Sequence, residues 1–121
     1  MPRELSEKEK AAFAKSPAFE KAAERESKQL LKLPSHEDLL ELYGLYKVGC
    51  DEDIKGEKAF PQGRPSWFNM KGAKKYDAWA KLIEENVTPD EAIERYIAKV
   101  EEMKGKYGFD PEKEPEVVGS S

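Results

Sequence analysis

The stretch LPSHEDLLELYGLYK, residues 33–47, decides how the rest of the chain is read. Pro34 closes whatever helix precedes it. Ser35 is placed to cap the next helix, and Asp38, three residues on, brings a carboxylate to the free amides of the first turn. The spacing predicts a helix running to about Gly49. Projected at about 100° per residue, Leu42, Tyr46, Leu39, Tyr43, Lys47 and Leu40 fall in that order across one arc, so Lys47 lies inside an apolar face.

A single lysine in that position commonly turns its amine to water while its stem covers the core. Here the pattern recurs. The segment KGAKKYDAWAKLIEE, residues 71–85, reads as another amphipathic helix, and its arc runs Leu82, Lys75, Trp79, Ile83, Tyr76, Ala80, with Lys75 among the apolar residues.

Composition sets the frame for these two helices. A chain of 121 residues suits one compact domain. With 38% charged residues and a mean hydropathy of -0.85, its apolar side chains must be gathered on one face of each element, which favours helices. The net charge of -4 argues against a general nucleic-acid binder. One cysteine, Cys50, and one histidine, His36, supply neither an internal disulfide nor a zinc-ligand set, and a reducing compartment fits best. The N-terminus has no apolar signal region, and no stretch approaches the roughly 18 apolar residues of a membrane span. The expectation is a cytoplasmic protein.

Two further helices complete the reading. Residues 1–16 form a charged extension in which SEKE, Ser6 to Glu9, has the shape of a capping box, so a short helix is possible there. Phe19, Ala23, Leu30 and Leu33 then recur at helical spacing up to Pro34, which predicts a helix over 19–33. The clearest helix is TPDEAIERYIAKVEEMKGKYG, residues 88–108: Thr88 caps it, Pro89 opens it, Glu91 completes the box and Gly108 ends it. Residues 50–69, rich in Gly, Pro and charge, make a long connection that is either functional or a tolerated insertion. Residues 109–121 read as a disordered polar tail. The domain is expected to span 17–108 as an all-α four-helix bundle.

Two lysines on the wrong face of two helices suggest a shared anion, since burying an isolated ammonium is costly. Phosphate suits lysine, a compact charge with three donors, and the neighbouring tyrosines suit a flat ring. The plainer reading also stands: both lysines sit at the rim with wet amines, and Tyr96, in mid-stripe between Met103 and Tyr107, is a core aromatic.

Taken in order, LPSHEDLLELYGLYK, KGAKKYDAW and AIERYIAKVEEMKGKYG resemble the acyl-CoA-binding protein family, over about Phe19 to Gly108. The resemblance implies a bundle of up-down-down-up topology that holds a long-chain fatty acyl-CoA and performs no chemistry on it. By position it implies that Tyr43, Tyr46 and Lys47 meet the nucleotide, that Lys75 meets the 3'-phosphate and that Tyr96 closes the headgroup site. Lys71 and Lys28 transfer less directly, with Arg25 an alternative to Lys28. Leu40, which borders Lys47 on its arc, is the apolar member of the set.

Some residues depart from the family pattern. Val48 stands where a glutamine is usual and Tyr76 where a tryptophan is. Glu26 projects into the apolar arc of the first helix, and the long connection carries Trp67, Phe68 and Met70 at its end, where they are candidates to cover part of the acyl chain. The expected function is intracellular binding and transport of esters such as palmitoyl-CoA, maintaining an acyl-CoA pool and supplying acyl-CoA-using enzymes. The protein is expected to act as a monomer without metal, cofactor, nucleic acid or integral membrane association. An enzyme is disfavoured, because Cys50 and His36 lie at opposite ends of one helix and no G-x-S-x-G elbow is present. A helical protein-interaction module with a degenerate pocket is the alternative.

Overall fold

Each helix begins where a side-chain oxygen can accept the free amides of its first turn. In the computed structural model, which describes residues 4–115, α1 (Glu7–Lys15) starts behind Ser6. The Ser6 hydroxyl accepts from the Glu9 amide and the Glu9 carboxylate accepts from the Ser6 amide, a reciprocal capping box. α2 (Pro17–Glu24) follows Ser16, α3 (His36–Gly49) follows Ser35, α4 (Met70–Glu84) follows Asn69 and α5 (Pro89–Tyr107) follows Thr88. In all four the cap side chain accepts a first-turn amide.

Contacts between named side chains fix the helix directions. Phe19 packs on Tyr46 and lies against Gly49, so the start of α2 meets the end of α3 and the two are antiparallel. Lys75 lies over Tyr43 and Lys47 over Trp79, so α3 and α4 advance together. Tyr46 meets Tyr96 while Asp38 meets Lys106, which sets α3 and α5 antiparallel. From α2 to α5 the order is up-down-down-up. The parallel α3 and α4 cross closely at Gly44, where a Cβ would stand 2.8 Å from the Ala78 carbonyl oxygen.

The core is built around Trp79, Phe19, Leu45, Met103 and Val100, all but inaccessible to solvent. Burial of each such side chain is worth about 1.5–3 kcal/mol. The segment before residue 17 joins this core. Phe13 is buried against Phe19, ring centroids 5.5 Å apart, and Lys8 and Lys15 tie the two ends of α1 to the Asp51 carbonyl and to Asp90.

Two expectations are corrected. The helix predicted over 19–33 stops at Glu24 and gives way to a single 3-10 turn, Glu26–Lys28. The reason is long-range. Glu26, the misfit of that helical arc, instead pairs with Lys104 at 2.6 Å, and Leu33 is left 80% exposed. Nor is residue 109 the start of a disordered tail. Leu30 and Phe109 form an antiparallel bridge, and the buried Gln29 side chain donates to the Pro111 and Lys113 carbonyls. Residues 116–121 lie outside the described part of the chain.

Candidate functional site

The parallel crossing of α3 and α4 brings two cations to one aromatic ring. Tyr43 and Lys47 are one turn apart on α3, Lys75 and Trp79 one turn apart on α4, and side chains at that spacing share a face. The Lys47 ammonium lies 5.7 Å from the centre of the Tyr43 ring and 5.7 Å from that of Trp79. The Lys75 ammonium lies 5.2 Å from the centre of the same Tyr43 ring. Such contacts are attractive to a cation, with the strongest pull from tryptophan.

Electrostatics around the ring favour an anion. Burial, then the nearby charges of Lys71 and Lys47, hold the Lys75 ammonium below its ordinary pKa, so the charges of these two lysines oppose that of Lys75. A bound anion would relieve that repulsion. Tyr43 is half-buried, and its hydroxyl is pushed up by burial and by Glu52. Trp79 forms the floor: it is buried, stacks edge-on to Tyr43 at 6.3 Å, and its indole N–H has no hydrogen-bond partner among the described residues.

Of the eight residues expected from the sequence, Tyr43, Lys47, Lys75 and Lys71 gather here. Tyr46 and Tyr96 pack together elsewhere. Tyr96 is buried against Phe19 and Tyr46, with its hydroxyl facing Ser27, and Tyr46 donates its hydroxyl to Glu9 of α1. Lys28 is paired with Glu24 at 3.7 Å, and Leu40 is half-buried on α3.

Two participants escaped the sequence reading. Glu52, just beyond α3, pairs with Lys47 at 3.0 Å, and both are about a quarter exposed. Phe60 leaves the long connection to meet Tyr76 edge-on at 5.4 Å and Trp79 at 6.1 Å. Trp79 itself was visible beside Lys75 on the helical arc, but its role as the floor under Lys47 depends on the crossing of two helices. A shallow hollow of about 310 Å³, lined in part by Val48, Glu52, Trp79 and Ile83, borders the cluster.

Comparison with known proteins places these features in context. The family model described as acyl CoA binding protein matches residues 16–100, so α1 lies outside the match. An acyl-CoA-binding protein homolog of Manduca sexta is 39% identical over 91 residues, covering 75% of this chain and 92% of that protein. An acyl-CoA-binding protein of Brassica napus is 44% identical over 85 residues, covering 70% and 83%. Among solved structures, the crystal structure of Oryza sativa acyl-CoA-binding protein 2 superposes with a TM-score of 0.61 at 37% identity, covering 74% of this chain and 90% of that one.

Proposed function

The chain belongs to the acyl-CoA-binding protein family, and from that premise we propose that it binds long-chain fatty acyl-CoA esters and carries them, chemically unchanged, to the enzymes that use them in the cytoplasm. The observation that carries this reading is the convergence of Lys47 and Lys75 on the Tyr43 ring, with Lys71 close enough to depress the Lys75 pKa. A phosphate of the nucleotide suits three neighbouring lysines, and an aromatic base finds a tyrosine face beside them. The acyl chain adds apolar burial of about 0.8 kcal/mol per methylene, so affinity rises with chain length.

Transport without catalysis agrees with the state of the candidate nucleophile. Burial, then the charges of Glu52 and Glu9, push the Cys50 thiol up to about 12, where it supplies almost no thiolate at neutral pH. His36 stands at the other end of the 14-residue α3, roughly 20 Å away along the axis. Among the described residues, no helix is long and apolar enough to cross a membrane.

Calorimetric titration with palmitoyl-CoA, free CoA and palmitate tests the proposal. Tight binding of palmitoyl-CoA, with each half of the ligand far weaker alone, is the expected result. A folded protein that gives no saturable signal with palmitoyl-CoA contradicts it.

A further inference from the structure

Charge is not spread evenly along this acidic chain. Residues 58–76 hold Lys58, Arg64, Lys71, Lys74 and Lys75 without a single Asp or Glu, although the net charge of the whole is -4. The same stretch holds three exposed large apolar side chains: Trp67 at 79%, Phe68 at 78% and Met70 at 50%. Isolated exposed apolar residues are ordinary, but adjacent aromatics beside a basic cluster are not.

The connection that presents them is anchored. Phe60 docks on Tyr76 and Trp79, and Arg64 makes two hydrogen bonds to Asp77, at 2.8 and 2.9 Å. Trp67 and Phe68 follow, in edge-on contact with each other at 5.6 Å, immediately before Asn69 caps α4. Phe60, then, is the aromatic of this connection that contacts the floor of the site. Lys74 is exposed one turn after Met70 on α4, and Lys71 is exposed in the first turn of the same helix.

We propose that this face is a docking surface for an anionic lipid bilayer. Trp favours the water–lipid boundary, where its amphipathic ring is half desolvated, Phe buries its ring at the acyl edge of that boundary, and lysines around them gain from a negative surface potential. Neither signal alone holds a protein at a membrane, whereas an apolar anchor and a basic patch together give reversible binding. The inference stands on charge and exposure, independently of the acyl-CoA reading.

The test is sedimentation of the ligand-free protein with sucrose-loaded vesicles, read together with Trp fluorescence. Vesicles of phosphatidylcholine alone are compared with vesicles containing about a third phosphatidylserine, at low and high salt. Trp79 is already buried, so a blue shift reports Trp67. The expected result is salt-sensitive binding to the anionic vesicles with a blue shift. Trp67→Ser/Phe68→Ser is expected to abolish it, and Lys74→Glu to weaken it by roughly fivefold or more. The thermal midpoint should be unchanged in both variants, because these side chains are exposed, and palmitoyl-CoA binding should be retained in Trp67→Ser/Phe68→Ser. Equal or absent binding to the two vesicle types overturns the proposal. So does a Trp67→Ser/Phe68→Ser variant that keeps vesicle binding but loses palmitoyl-CoA, which would assign the aromatics to the acyl chain.

Discussion

Lys47 and Glu52 face each other across the C-terminus of α3, ammonium to carboxylate 3.0 Å, while the Glu52 amide donates to the Lys47 carbonyl at 3.1 Å. The backbone bond fixes the carboxylate beside the lysine that an incoming phosphate would use. Glu52 is thus the counterion of Lys47 in this structure, and on the proposed reading a phosphate would compete with it.

Glu52→Gln removes that competitor while keeping the shape of the side chain. Palmitoyl-CoA should bind about two- to fivefold tighter, in line with the modest worth of a partly exposed ion pair. Calorimetry at two salt concentrations checks this. Weaker binding in Glu52→Gln would show instead that the carboxylate orients Lys47 for the ligand.

Lys75 makes affinity depend on alkaline pH. Burial and the charges of Lys71 and Lys47 hold its pKa below the ordinary lysine value in the free protein, and a bound phosphate raises it again. Affinity is full while Lys75 is protonated, falls as pH rises through its lowered pKa, and binding takes up protons in that window. Burial, then Glu52, shifts the Tyr43 hydroxyl the opposite way, upward. Titrations from pH 7 upward in buffers of different ionisation enthalpy measure the uptake, which should vanish in Lys75→Ala.

Asp38 holds the N-terminus of α3 to the end of α5. It accepts from the Tyr107 hydroxyl at 2.5 Å and pairs with Lys99 at 2.9 Å and Lys106 at 3.0 Å. The Tyr107 hydrogen bond, then Lys99, holds its carboxyl well below the usual carboxylate range. Its contribution to stability is thus complete above the unfolded value of about 3.9 and is lost as pH falls through the lower folded value. Asp38→Asn should cost on the order of 2–4 kcal/mol at neutral pH in urea unfolding, with the difference from wild type shrinking in acid.

Phe13 distinguishes a structural α1 from a loose appendage. Because it is buried against Phe19 and lies 6.3 Å from Tyr46, Phe13→Ala should destabilise the whole domain by about 3–5 kcal/mol. An unchanged unfolding midpoint would mean that α1 contributes nothing to the core.

Local signals in the sequence were enough wherever a helix is specified by its own caps. Ser35, Thr88 and Pro89 mark the starts of α3 and α5 because the capping oxygen and the amides it serves lie within four residues. The same periodic logic failed over 25–33. There Glu26 is drawn to Lys104, 78 residues away, and Leu30 to Phe109, and no helical wheel contains those partners. At the site, the wheel located Lys47 and Lys75 as misfits. It could not show Glu52, which lies past the end of the helix, or the separation of Tyr46 and Tyr96 into a different cluster.

On the proposed reading, Lys47 and Lys75 hold a nucleotide phosphate over Tyr43. The most direct test of that reading is a cycle in which wild type and Lys75→Ala are each titrated with palmitoyl-CoA and with its 3'-dephospho analogue. Wild type should prefer the phosphorylated ester by at least about tenfold, as a charge-assisted bond requires. Lys75→Ala should lose most of that preference and bind the two esters nearly alike. Full retention of the preference in Lys75→Ala would place the phosphate elsewhere and contradict the assignment.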